Sequence, residues 1–451
     1  MDLIVSVSGI RGIVGDSLTP EAACRFAAAL GTHLTGGRVL VARDSRPSGD
    51  MLKHAVFAGL QSVGCTVEDL GIAPTPTVGI AVRNLSAAGA IMITASHNPA
   101  PWNGLKLFGP DGAVLAPEQG QHVRMLYDSG ATVRAAWNGI GSLRIPPDVQ
   151  DDHARAVLEH ISAATIASRG LRVLLDGNGG AGGPLGVKLL AEFGCEVVQH
   201  QCEADGDFAH EPEPTPANLA EVAPWVKQSG SAVGFALDPD SDRLALIDET
   251  GACISEELTL ALAVKYRLKQ AEGPVVVNMS TSRVIEDIAH AAGCAFHRSA
   301  VGEANVVAEM RRVKALIGGE GNGGVIDPRL GWVRDPFIGM GLILSLMAEE
   351  RKPLSQLVAD LPQYSMLKTK FTVPKEKLAP ALARIQANWP EAKTNSLDGL
   401  RLDGPDWWLH VRASNTEPIV RVIAEAPTEP EAQALCRAAG ELLIGEKNEH
   451  R

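Results

Sequence analysis

The chain has 451 residues, 45% of them hydrophobic and 21% charged, with a formal net charge of −12. That length predicts several domains, each with its own core, since domains run to ~100–200 residues. The acidic balance excludes a general nucleic-acid-binding surface, and no apolar run approaches the ~20 residues of a membrane span. An acidic chain that binds an anionic ligand must concentrate its Arg and Lys locally or use a metal. Seven cysteines are scattered without a CxxC pair, which predicts buried free thiols in a reducing compartment. The N-terminus shows no basic, apolar leader pattern, so a cytoplasmic protein is expected.

In chain order, one pattern recurs three times. Arg38–Ala42 reads as a strand, with a helix from about Ser48 and then Val63-Gly-Cys-Thr-Val67. Arg172–Asp176 is followed by a helix from about Pro184 and Phe193-Gly-Cys-Glu-Val197. Pro274–Asn278 is followed by a helix from about Ser282 and Ala292-Gly-Cys-Ala-Phe296. Each Gly suits the left-handed end of a helix, and each Cys opens the next strand as a small buried residue. Strands alternating with helices predict parallel sheets covered by helices. The copies lie more than 100 residues apart, so they are domains rather than solenoid units.

These modules put boundaries near residues 150, 252 and 365, giving domains 1–150, 151–252, 253–365 and 366–451. Beyond 365 the pattern changes. Thr369–Val373, Gly399–Leu402, Trp407–Val411 and Ile419–Ala424 read as strands, and 376–388 and 428–445 as helices. That predicts a smaller α+β domain with a mostly antiparallel sheet.

Four loops carry chemistry. The apolar run Ala90–Ile93 ends in Thr94-Ala-Ser-His-Asn-Pro99, where Ser96 would be held by a rigid strand yet remain reachable. His97 adjoins it. In Asp238-Pro-Asp-Ser-Asp-Arg243 three carboxylates at i, i+2 and i+4 sit in a turn between two apolar strands. Without a cation they would repel, and a hard divalent ion such as Mg²⁺ suits them. Gly319-Glu-Gly-Asn-Gly-Gly324 follows a strand and lacks the Lys-Ser/Thr of a Walker loop. Its Glu320 and Asn322 suit sugar hydroxyls. Arg412-Ala-Ser-Asn-Thr416 with Arg421 gathers guanidinium, hydroxyl and amide groups that suit a phosphate dianion. Arg11, between two glycines, and Lys106 are further candidate cations near the serine. Each loop alone also reads as an ordinary polar turn.

In this order the loops resemble the α-D-phosphohexomutase superfamily over essentially the whole chain. The resemblance implies an α/β fold: three related α/β domains with mixed sheets and a C-terminal α+β domain resembling the TATA-binding-protein-like fold. It implies that Ser96 carries a transferable phosphate and that Asp238, Asp240 and Asp242 bind Mg²⁺ together with it. Arg11, Lys106 and Arg243, with His97 beside the serine, would assist charge neutralisation and proton transfer. Glu320 and Asn322 would face the sugar. Arg412, Ser414, Asn415, Thr416 and Arg421 would hold the phosphate that is not transferred.

The implied reaction converts hexose 6-phosphate and hexose 1-phosphate through a hexose 1,6-bisphosphate, which also serves as activator. A phosphoglucosamine mutase is the favoured reading, with mannose or glucose phosphate as the alternative sugars. A metal-dependent sugar phosphatase or a non-catalytic sugar-phosphate binder is less favoured. No nucleic-acid or membrane partner is expected, and the chain is expected as a monomer or homodimer. The sequence departs from the family where many relatives carry Glu-x-Ser-Gly-His: Asn322 replaces the Ser and Gly324 the His. A proton-transfer role for that histidine does not carry over. Pro239 also stands where Gly is common in the metal loop.

Overall fold

The computed structural model describes residues 3–6, 9–413 and 419–445. Its strands form four sheets, of seven, four, four and five strands. In the first, Arg38–Arg43, Thr66–Ile72 and Gly89–Ile93 run parallel, and Trp102–Phe108 pairs antiparallel with Gly89–Ile93. In the second, Arg172–Asp176, Glu196–His200 and Val233–Leu237 run parallel, and Leu244–Asp248 closes the edge antiparallel. The third repeats this with Val275–Asn278, Phe296–Ser299 and Ile317–Glu320, edged by Gly324–Ile326. The sheets are therefore mixed rather than purely parallel. The tight turns after the third strand of each repeat leave no room for a crossover helix, so the next strand must return antiparallel.

Those turns position the site. The serine loop, the carboxylate loop and the Gly-rich loop occupy the same place in their three repeats: the turn from the last parallel strand into the antiparallel one. Each sits at the carboxyl end of the parallel strands, where open α/β sheets present their ligand sites.

The Gly-Cys signature has a local cause. Gly64, Gly194 and Gly293 hold φ of +86°, +76° and +70°. The amides of Cys65, Cys195 and Cys294 then donate back to Leu60, Leu190 and Ala289 at 3.1, 3.1 and 2.9 Å, satisfying carbonyls orphaned at each helix end. Of these three cysteines only Cys65 is buried, because Cys195 and Cys294 are half-buried in front of strands at more open edges; of the other four, Cys202 and Cys436 are buried and Cys24 and Cys253 half-buried. All seven cysteines are free thiols.

The helix Pro336–Glu350 is apolar on all sides and has thirteen buried residues. Such a helix must be interior. Its Phe337, Met340 and Leu344 belong to one core with Val173, Phe235, Val275 and Ile317, so the second and third sheets share a hydrophobic core. Asp335 caps it by accepting from Phe337 N at 2.9 Å and Ile338 N at 3.3 Å.

The C-terminal sheet is wholly antiparallel. Its first strand, Ser365–Phe371, begins four residues before the expected Thr369, and Lys393–Asn395 is an edge strand that no apolar pattern announced. All three side chains of that edge strand are exposed. The helices Lys375–Asn388 and Glu429–Ile444 pack on one face of the sheet.

Candidate active site

Ser96 lies one turn beyond Gly89–Ile93, is 2% exposed and holds φ of +52°, a left-handed conformation that costs a non-glycine residue energy. Its surroundings enforce it. Ser96 N donates to Thr94 Oγ1 at 2.8 Å, and Thr94 Oγ1 donates to Asp44 Oδ2 at 2.7 Å. Arg46, fully buried and paired with Asp44 at 3.0 Å, donates to the carbonyls of Ser96, Asn98 and Pro99 at 2.6, 2.7 and 3.0 Å. Neither Asp44 nor Arg46 was singled out from the sequence. The signal available was a polar Asp-Ser-Arg triplet directly after the strand Arg38–Arg43.

Ser96 Oγ donates to Asp238 Oδ2 at 3.0 Å, which brings the serine loop against the carboxylate loop. One carboxylate oxygen from each of Asp238, Asp240 and Asp242 lies within 4.8 Å of the others. Asp238 Oδ1 accepts from the amides of Asp242 and Arg243 at 3.0 and 3.1 Å, curling the loop tightly, with Ser241 at φ +53°. Asp240 Oδ2 accepts from Thr75 Oγ1 at 2.6 Å and Lys106 Nζ at 2.9 Å. Asp242 Oδ2 accepts from Lys106 at 2.7 Å and Arg334 Nη2 at 2.6 Å. Asp240 Oδ1 and Asp242 Oδ1 are buried without a hydrogen-bond partner. Orphaned buried carboxylate oxygens are costly unless a cation satisfies them. The donor set is all oxygen, so it fits a hard divalent ion. Burial, reinforced by Asp240 and Asp242, pushes the Asp238 carboxyl well up. Burial opposes ionisation of Asp242 too, but Arg334, Lys106 and Arg243 outweigh it and hold that carboxyl low.

Arg11 and Lys106 come from neighbouring antiparallel strands, Gly9–Ile13 and Trp102–Phe108. Arg11 Nη1 donates to Asn98 Oδ1 at 3.3 Å. Arg243 Nε lies 4.0 and 3.9 Å from Asp238 and Asp242, and its Nη1 donates to Glu213 at 3.3 Å. His97 Nδ1 is 3.4 Å from Ser96 Oγ. Burial first, then the Arg243 and Arg11 cations, push the imidazole down to about 2, so it is neutral at physiological pH.

Glu320 ends the strand Ile317–Glu320. Its Oε1 accepts from Asn278 Nδ2 at 2.9 Å and Gly302 N at 3.2 Å, and its Oε2 from Arg334 Nη1 at 3.0 Å. Asn322 Oδ1 is buried and unpartnered. Arg412 and Arg421 face each other in register across the strands Trp408–Ala413 and Val420–Ala426. Arg412 Nε is held by Asp398 at 3.0 Å, and its Nη2 is buried without a partner. Ser414, Asn415 and Thr416 lie outside the described residues. Thr75, Glu303 and Arg334 were also not singled out from the sequence. They lie on segments without a motif and reach the site only through the fold.

A serine set against a cation-ready carboxylate cage, with arginines on a fourth domain, defines a phosphoryl-transfer enzyme. The chain matches four phosphoglucomutase/phosphomannomutase family models: α/β/α domain I at residues 2–134, domain II at 151–251, domain III at 256–364 and the C-terminal domain at 369–440. A phosphoglucomutase/phosphomannomutase of Thermococcus kodakarensis is 38% identical, covering 98% of this chain and 99% of that one. A protein of Methanopyrus kandleri named "probable phosphoglucosamine mutase" is 35% identical over 95% of each. The crystal structure of a phosphoglucomutase/phosphomannomutase family protein from Burkholderia thailandensis superposes with a TM-score of 0.87 at 27% identity, covering 99% and 98%. The chain belongs to the phosphoglucomutase/phosphomannomutase family, and its fold is that of the phosphohexomutases.

Proposed function

We propose that this chain interconverts hexose 6-phosphate and hexose 1-phosphate through a phosphoserine at Ser96, with glucosamine phosphate as its preferred substrate. The observation that carries the reading is the 3.0 Å contact of Ser96 Oγ with Asp238, inside a carboxylate cluster holding two orphaned oxygens. The preference for glucosamine rests on relatives such as the Methanopyrus kandleri protein. Mannose and glucose phosphates are the alternatives, because the Thermococcus kodakarensis relative bears the other family name.

In the forward half-reaction the phosphorus–Oγ bond of phosphoserine breaks. A new bond forms to a hydroxyl oxygen of the sugar, whose proton passes to the departing Ser96 Oγ. The 1,6-bisphosphate then turns, the bond between its other phosphorus and the sugar oxygen breaks, and that phosphoryl group bonds to Ser96 Oγ, whose proton, directed at Asp238 until then, passes to the freed sugar oxygen. This divides one difficult isomerisation into two in-line displacements. Asp238, Asp240 and Asp242 would hold Mg²⁺, which when bound offsets the charge of about −1.5 to −2 on a phosphoserine. Arg11, Lys106 and Arg243 supply further positive charge around the transferred group. Glu320 and Asn322 orient the sugar hydroxyls. Arg412, Arg421 and the 414–416 segment would clamp the phosphate that stays.

The test is ³¹P NMR of the protein with glucosamine 6-, glucose 6- and mannose 6-phosphates, Mg²⁺ and a trace of bisphosphate. A 1-phosphate resonance growing fastest from glucosamine 6-phosphate is expected, and it should vanish on chelation. Release of inorganic phosphate instead would make the protein a phosphatase.

A further inference from the structure

The space beside Gly324 is already filled. A Cβ at Gly324 would overlap Cδ of Arg334 and lie 2.9 Å from its Cγ. The arginine stem thus runs through the volume that a side chain at position 324 would enter. We propose that Arg334 is a positioning residue that locks the metal loop to the sugar loop through one guanidinium. This inference rests on the mutase reading above.

The geometry is specific. Arg334 is 7% exposed. Its Nη2 donates to Asp242 Oδ2 at 2.6 Å and its Nη1 to Glu320 Oε2 at 3.0 Å, so one planar fork spans residues from the second and third sheets. Its Nε lies 3.3 Å from Glu303 Oε2, and its backbone amide donates to Glu303 Oε1 at 3.1 Å. Three carboxylates converge on one cation that keeps its charge at any physiological pH.

The residue is fixed from behind. Asp335 N donates to Val325 O at 2.7 Å, and the Asp335 side chain caps the interior helix. Asp335 Oδ2 also meets His153 Nε2 at 2.9 Å, and His153 Nδ1 meets Thr77 Oγ1 at 2.8 Å. Elements of three repeats therefore set where the guanidinium sits. An arginine orients and neutralises but does not exchange a proton, so this position supplies alignment of Glu320 for the sugar and of Asp242 for the cation.

The test compares wild type with Arg334→Ala, Arg334→Lys, Gly324→His and the pair Gly324→His with Arg334→Ser. Substrate is glucosamine 6-phosphate with glucose 1,6-bisphosphate, and circular dichroism checks folding. Loss of Arg334 should lower kcat on the order of 10²-fold and raise KM, because both loops lose alignment. Millimolar guanidinium should restore ~10-fold of the Arg334→Ala rate, and methylammonium far less, since only the former is a planar fork. Arg334→Lys should recover little for the same reason. Gly324→His alone should be impaired by its overlap with the Arg334 stem, and Arg334→Ser should relieve that overlap, so the pair should be more active than Gly324→His alone. An Arg334→Ala enzyme with kcat and KM within about twofold of wild type overturns the proposal. So does a folded, impaired Arg334→Ala variant that guanidinium does not improve. Absence of turnover in the wild type would instead overturn the mutase reading itself.

Discussion

Ser96 and Asp238 touch at 3.0 Å although 142 positions separate them in the chain and they lie in loops that follow strands of different sheets. The serine reaches that carboxylate from a left-handed backbone, at φ +52°. Strain of this kind persists where the surroundings over-determine it, and it gathers at functional sites. Ser96→Ala should fold, keep the backbone strain and lose at least ~10³-fold in turnover. Ser96→Gly should be equally inactive but more stable than Ser96→Ala, by up to ~1 kcal/mol, because glycine accepts that φ. Mutase assays, thermal unfolding and intact mass for phosphate on Ser96 check this. An alanine variant with near-normal turnover would remove the phosphoserine from the mechanism.

The support beneath the serine should matter almost as much. Arg46 is buried with Asp44 and donates to three loop carbonyls. Replacing it with Met would leave Asp44 a buried unpaired charge and the carbonyls without a donor. Breaking one partner of such a pair costs ~3–5 kcal/mol. Arg46→Met should therefore lower the melting temperature and reduce kcat, since Ser96 would no longer be aimed at Asp238. Arg46→Lys should rescue only part, because an ammonium cannot reproduce the forked contacts. Unchanged kcat in a folded Arg46→Met variant would show that the loop holds its shape unaided.

What the sequence disclosed follows from how local each cause is. The Gly-Cys repeat was readable because one left-handed glycine and one backward amide bond fix each helix end. Ser96 and the aspartate loop were readable because strand, turn and functional group are contiguous. Asp44, Arg46 and Arg334 were not, since each acts on a loop reached only through tertiary packing. Alternation of strands and helices pointed only to the parallel strands, because it says nothing about the one strand that returns by a tight turn; the mixed sheets implied by the family resemblance are the ones that form. Lys393–Asn395 escaped notice because an exposed edge strand of Lys, Thr and Asn carries no apolar alternation.

The fourth domain supplies a binding prediction. Arg412 is held at Nε by Asp398, which also accepts from Val301 N at 3.0 Å, and it leaves Nη2 buried and unpartnered. A buried, unsatisfied guanidinium nitrogen is costly unless a ligand meets it. Arg412→Ala and Arg421→Ala should each raise KM for the hexose phosphate ~10–100-fold, as expected for charged hydrogen bonds of ~1.5–3 kcal/mol, with a smaller change in kcat. Asp398→Asn should raise KM less, by loosening Arg412 without removing it. Steady-state kinetics decides the matter, and an unchanged KM in Arg421→Ala would take that residue out of the phosphate clamp.

The contact between the third and fourth domains carries a pH dependence. His410 is fully buried, with Nδ1 2.9 Å from Ser280 Oγ and Nε2 2.6 Å from Asp398 O. The neutral ring fits both partners, donating from Nε2 and accepting from Ser280. Burial, aided by the Arg401 and Arg412 cations against the opposing pull of Asp398, pushes it down from 6.5 to about 4. Between those values the unfolded chain takes up the imidazole proton and the folded chain does not. Stability therefore falls as pH drops through that window and is unaffected by this group above it. The full difference is about 3 kcal/mol. His410→Gln keeps a donor for Asp398 but cannot titrate, so its melting temperature should decline less steeply than the wild type's between pH 6.5 and 4. Parallel declines in the two proteins would mean that His410 takes its proton within the fold as readily as outside it.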